Sequence, residues 1–81
     1  MRYVIHLPVN AATLAHARIL ARTAVRALTF LTPLDPGETT VSEEDAQGVR
    51  HRVYCDRPLD GGRRCVLRAE HESVCTARVR R

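Results

Sequence analysis

Lysine and tryptophan are absent from this chain of 81 residues, and aromatic side chains nearly so: Tyr3, Phe30 and Tyr54 are the whole set. Large aromatics carry a disproportionate share of buried area, so a core built instead from Ala, Val and Leu is thin for its length. At this size one domain is the ceiling, and scaffolds with a marginal core commonly add a disulfide or a metal staple. All thirteen basic residues are Arg. That bias points to a GC-rich genome rather than to a demand for guanidinium, so only the charge enters the argument. No stretch approaches the roughly 20 apolar residues needed to span a bilayer. MRYVIHLPV is too short and too interrupted for a signal peptide. The acid-poor, Arg-bearing first third superficially resembles a transit peptide, but removing it would delete most of the one long helix. No internal repeat, Cys-x-x-Cys knuckle or helix-turn-helix spacing is present. Gly61-Gly62 is a turn and not a phosphate cradle, because no Lys-Ser/Thr follows. The expected address is the cytoplasm, where thiols stay reduced and Cys/His clusters favour metal.

The charge is present and unevenly placed. Residues 1–34 hold Arg2, Arg18, Arg22 and Arg26 without an acid, residues 35–49 hold five acids without a base, and residues 50–81 hold nine Arg against four acids. The net charge of +4 and pI near 9.6 fit a polyanionic partner.

Periodicity supplies the elements. RYVIHLPV, residues 2–9, alternates Tyr3, Ile5, Leu7 and Val9 against Arg2, Val4 and His6, which predicts a strand, with Pro8 placing one end at an edge. Asn10 is a candidate N-cap for a long helix whose stripe is Leu14, Ala17, Leu20, Ala21, Ala24, Val25, Leu28 and Leu31. Arg18, Arg22 and Arg26 flank that stripe at i, i+4, i+8, and Ile19 and Phe30 lie outside it. Pro33 and Pro36-Gly37 end the helix. Residues 38–43 and 49–55 read as a hairpin, residues 58–62 as a tight turn, and residues 66–75 as a turn or two of helix. The expected fold is α+β: β-α-β-β, a small mainly antiparallel sheet with one helix across a face, closed by a C-terminal stapled turn. A single domain spans 1–81, with a core at 1–54, a Cys/His segment at 55–75 and a basic tail at 76–81.

The chemistry concentrates in that Cys/His segment. Cys55, Cys65, His71 and Cys75 are the four ligands a tetrahedral Cys3His zinc site takes. Cys55 ends a strand, the Gly-Gly turn returns Cys65 beside it, and a helical 66–75 would put His71 and Cys75 on one face at i, i+4. His51 is the reserve ligand, since two strand positions at about 6.6–6.8 Å separate it from an easy shared geometry with Cys55. A disulfide is the competing use and leaves one of three thiols over; inert reduced thiols are the other.

CVLRAEHESVC resembles a short module, C-x-L-x-x-x-H-x-x-x-[HC], of small proteins from GC-rich bacteria and their phages that is taken as zinc-binding. Cys65, Leu67, His71 and Cys75 match it, and Cys55 with Gly61-Gly62 matches its upstream half. The module often has Pro at the place of Arg68, Gly at that of Glu70 and His as its last ligand. The resemblance covers residues 55–75 and implies a metal.

Arg18, Arg22 and Arg26, joined by Arg63, Arg64, Arg78, Arg80 and Arg81, are candidate phosphate contacts. With three aromatics there is no ladder for base stacking. A four-ligand metal site is closed, and a Cys–His nucleophile would need an orienting partner and an available thiol while the best Cys/His group is better used on metal, so the expectation is a non-enzyme with no small-molecule substrate. The sequence thus points to a zinc-binding accessory or regulatory protein that contacts nucleic acid. The alternative is a protein-interaction adaptor or small dimeric module, with the acidic 35–49 segment or Ile19 and Phe30 as its contact surface.

Overall fold

Residues 1–78 are described by a computed structural model of the chain. The architecture is α+β. One helix, α1 (Leu14–Ala27), lies against a two-stranded antiparallel sheet formed by β1 (Thr40–Val41) and β2 (His51–Arg52), with Thr40 opposite Arg52 and Val41 opposite His51.

The helix starts at Thr13, not Asn10. The Thr13 hydroxyl accepts the His16 backbone N–H at 3.1 Å and so satisfies one of the free donors of the first turn. It ends where the Leu28 N–H closes on the Ala24 and Val25 carbonyls, and Arg26 stands in its last turn, the favourable end for a cation. The expected stripe is half-covered from Ala17 to Leu28, while Leu14 and Leu31 are exposed. No residue of the helix is fully buried.

Residues 2–9 do not form the expected strand. They have the alternation of one, but the sheet offers them no partner, and Tyr3, Val4, Ile5, Leu7 and Val9 are all exposed. An Arg2–Asp35 ion pair at 3.2 Å, exposed on both sides, holds the start of the segment weakly.

A second hairpin extends the chain beyond β2. The Cys55 N–H donates to Leu67 O, the Cys65 N–H to Arg57 O and the Leu59 N–H to Arg63 O, all at 2.8–2.9 Å. Tyr54 pairs with Arg68 and Pro58 with Arg64 in the same register. The turn is a 3₁₀ segment, Asp60–Gly62, in which Gly61 and Gly62 take φ of 77° and 74°, a conformation that glycine reaches without steric penalty. The ladder is broken at Asp56, whose φ is 52°. Residues 66–75 contain no helix. Their backbone is committed elsewhere, through Ala69 N–H to Val53 O at 2.9 Å and Val66 N–H to Thr76 O at 2.9 Å.

The core is small. Val53 and Cys65 are the buried apolar residues and Asp56 the buried charge among the described residues. The chain exposes 7116 Å², about 2,200 Å² more than the roughly 4,900 Å² expected for a compact monomer of its mass. The thin aromatic content has its physical consequence here.

Candidate metal centre

The second hairpin sets the first two donors. Cys55 is bonded opposite Leu67, and Cys65 lies two positions from Leu67, so both thiols fall on one face of the ribbon. The left-handed backbone at Asp56 sits between them, and Asp tolerates that conformation better than most residues. A second left-handed residue, Glu70 (φ 63°), turns the chain immediately before His71. The return path closes where Thr76 pairs with Val66, which carries Cys75 back beside Cys65.

The result is a convergence of four donors. Cys55 Sγ lies 3.8 Å from Cys75 Sγ. His71 Nε2 lies 3.5 Å from Cys65 Sγ and 3.6 Å from Cys75 Sγ. All four ligand atoms fall within 4.8 Å of one another, and the group can hold a metal ion. The three cysteines are free thiols, and 3.8 Å is far beyond the roughly 2.05 Å of a disulfide bond. Loop closure, rather than the i, i+4 spacing of a helix, brings His71 and Cys75 together.

The electrostatics divide the thiols. Burial resists ionisation of Cys65, but the backbone N–H groups of Leu67 and Thr76 and the neighbouring Cys55 and Cys75 thiols outweigh it, lowering its pKa from 9.0 to about 7. Cys75 moves the other way, raised by desolvation first and then by the Cys65 and Cys55 sulfurs. Backbone donors aimed at one sulfur thus prepare Cys65 as a thiolate, while Cys75 is held toward the thiol form until a cation offsets the repulsion. His71 presents Nε2 to the sulfurs, and its Nδ1 is buried without a hydrogen-bond partner among the described residues.

His51 is not one of the converging donors. It lines a neighbouring groove with Arg18, Arg50, Tyr54 and Glu70 that reaches as far as Cys55.

Asp56 is a site residue that sequence reasoning passed over. Its carboxylate is 3.0 Å from Arg64 Nε and 3.8 Å from Arg52, and it packs against Gly37, where any Cβ would fall on the carboxylate. The loop before β1 is thereby seated on the Cys55 turn. A lone Asp in an Arg-rich stretch gives little sequence signal of burial.

The arginines part company. Arg18 donates from Nε to Arg52 O at 3.0 Å and lies 3.8 Å from Glu70, with its side chain largely covered. It is an internal tie between α1 and β2, not a free phosphate contact. Arg64 binds Asp56, and Arg63 donates to Asp60 O at 3.3 Å from an exposed position. Arg22 and Arg26 lie close enough to Tyr54 to oppose the rise that burial imposes on its phenol pKa. Arg78 is exposed, and Arg80 and Arg81 lie outside the described residues. No helix among the described residues is long and apolar enough to cross a membrane.

No protein-family model matches the chain, and neither curated proteins nor solved structures give a significant match.

Proposed function

We propose that the metal is zinc and that it is structural. The observation that carries this reading is the spacing of the donors. A tetrahedral ion with Zn–S of about 2.3 Å and Zn–N of about 2.0–2.1 Å has S···S edges near 3.8 Å and S···N edges near 3.6 Å. Three of the six separations, 3.8, 3.5 and 3.6 Å, agree with these edges to within about a tenth of an ångström, and all six lie within 4.8 Å. Three thiolates and an imidazole are a soft, four-coordinate donor set suited to zinc and poorly suited to magnesium or calcium. Four protein ligands leave no open position for a water nucleophile, so the reading is non-enzymatic, and a reduced Cys3His site fits a cytoplasmic address. The resemblance of residues 55–75 to short zinc-binding modules supports the same ion. Elemental analysis of gently purified, untagged protein tests it: one zinc per chain is expected, and the absence of any stoichiometric metal sinks the proposal.

The wider role we propose is that of an accessory or regulatory protein whose basic surface contacts nucleic acid. The net charge of +4 supports it, as do the exposed Arg26, Arg63, Arg64 and Arg78 and the half-covered Arg22; Arg80 and Arg81 belong to the same proposal on sequence alone. Arg18 is withdrawn from that set. Binding to a duplex or single strand should weaken steeply with salt, with a log–log slope near −0.9 or −0.7 per phosphate neutralised. Salt-insensitive association with a protein instead would favour the adaptor reading.

A further inference from the structure

The first nine residues contain a strand pattern without a strand. Tyr3, Val4 and Ile5 are 82%, 71% and 74% exposed, and Leu7 and Val9 are also open to solvent. Such a run of aromatic and β-branched residues forms a stable strand only when its backbone and apolar face are both covered. This chain covers neither, because the described sheet is complete with β1 and β2.

We propose that the chain is a two-fold dimer in which residues 3–7 of two copies pair as an antiparallel ribbon centred on Ile5. The chain as a whole has surface left to bury: it exposes about 2,200 Å² more than a compact monomer of its mass. Each copy of a stable homodimer buries about 1,000–2,500 Å², and the ribbon would take a part of that surplus. The radius of gyration of 13.1 Å points the same way, since a compact chain of this length has about 11.7 Å.

The segment is also complementary to itself. With Ile5 opposite its own copy, Tyr3 faces Leu7, Val4 faces His6 and Arg2 faces Pro8, so the Arg side chains do not oppose each other. Hydrogen-bonded and non-hydrogen-bonded pairs alternate along an antiparallel ribbon. If the Ile5 pair is hydrogen-bonded, so are both Tyr3–Leu7 pairs, and Pro8 falls at a non-hydrogen-bonded site where its missing N–H removes no bond. That condition selects this phase over the other. Tyr3, Ile5 and Leu7 from both copies then share one face. Phe30, 73% exposed, and Ile19 add apolar surface that a single copy leaves open. The inference goes beyond the zinc reading and stands apart from it, since the dimer is measured by mass whether or not metal is bound.

Sedimentation equilibrium on the untagged full chain should give twice 9.1 kDa at micromolar concentration. Ile5→Asp sets two carboxylates across the axis and should return the mass of one chain with the helical circular dichroism retained. A second variant keeps the idea testable if that one does not fold. In the proposed register the two position-5 Cα atoms are about 5.5 Å apart, inside the disulfide range, whereas the two position-3 Cα atoms are about 14–15 Å apart. Mild oxidation should therefore cross-link Ile5→Cys into a dimer well above the wild-type level and leave Tyr3→Cys uncross-linked. A single-chain mass throughout, a doubled mass that survives Ile5→Asp, or equal cross-linking at positions 3 and 5 would each overturn the proposal.

Discussion

Removing the metal should unfold the protein rather than loosen one loop. Outside the ligand set one apolar side chain among the described residues is fully buried, Val53, and burying a side chain of that class contributes about 1.5–3 kcal/mol. A structural zinc contributes an apparent 10–16 kcal/mol at neutral pH, several times as much. The helix adds little independent stability, because 14 residues with none buried lie at the length where an isolated helix is only marginal. Its tie to β2 runs through Arg18 to Arg52 O, one residue before Val53. Chelation should therefore release the second hairpin and the helix together. The assay is hydrogen exchange under reducing conditions, before and after a strong chelator, with metal loss confirmed by elemental analysis. Protection at Cys55, Cys65, Val66 and Ala69, whose N–H groups close the hairpin, should fall by about a thousandfold or more. The helical signal at 222 nm should fall with it. Exchange unchanged within about twofold after proven metal removal would refute the reasoning, because the ribbon would then be held by something other than the ion.

Three further outcomes are expected. Cys75→Ser should weaken zinc affinity about a hundredfold in competition with a chromophoric chelator, whereas His51→Ala, outside the converging donors, should leave it unchanged; the reverse order would move the site to His51. Gly37→Ala places a methyl on the Asp56 carboxylate and should lower stability by about 1–3 kcal/mol in chemical denaturation of the zinc-loaded protein; Asp56→Ala in the same background should recover part of that loss. Zinc binding should weaken as pH falls through 7. In the folded arrangement Cys65, its pKa lowered from 9.0 to about 7, supplies a thiolate above that value and loses it below, while Cys75, raised, must give up its proton to the metal even at neutral pH; a metal-free chain that has unfolded has still more thiol protons to release. Calorimetry at pH 7.5 in buffers of different ionisation enthalpy should show more than one proton released per zinc, and release of none would contradict this division of the thiols.

The four donors were legible in the sequence because ligand chemistry depends on residue type and on a turn that can return the chain, and Gly61-Gly62 advertises that turn. Their geometry was not. Residues 66–75 were expected to be helical, but the pairings of Tyr54 with Arg68 and Val66 with Thr76 and the left-handed Glu70 rule a helix out. The second hairpin was masked because Asp56 interrupts its alternation with one residue of left-handed backbone. Helix α1 was legible from its stripe, and its start shifted by three residues because Asn10 and Thr13 are both competent caps and the Thr13 hydroxyl is the one in reach of an N–H. The Arg row was visible as a row, but periodicity alone does not reveal that Arg18 faces the Arg52 carbonyl while Arg26 faces water. The alternation of residues 2–9 was read correctly as a pattern and incorrectly as a strand of this chain's own sheet, since period two records which side chains share a face and nothing about a partner.

The two left-handed residues have a consequence for which sequences can occupy this scaffold. Asp56 directly follows one sulfur donor and Glu70 directly precedes the imidazole donor, so each fixes the direction of a ligand through its own backbone. In a saturation library scored by metal retention, neither position should be governed by its charge alone. Gly and Asn should be enriched at 70, where an extended glutamate side chain has no steric need to be, and Val, Ile and Thr should be purged at both, because branching at Cβ is least compatible with positive φ. At 56 the tolerated set narrows further, since Gly and Asn accept the backbone but leave Arg64 without its carboxylate. Position 70, whose 3.8 Å pair with Arg18 is solvent-exposed on the Glu70 side and weak, would thus report mainly backbone shape, and position 56 shape and charge together, giving neighbouring ligands different mutational spectra within one metal centre.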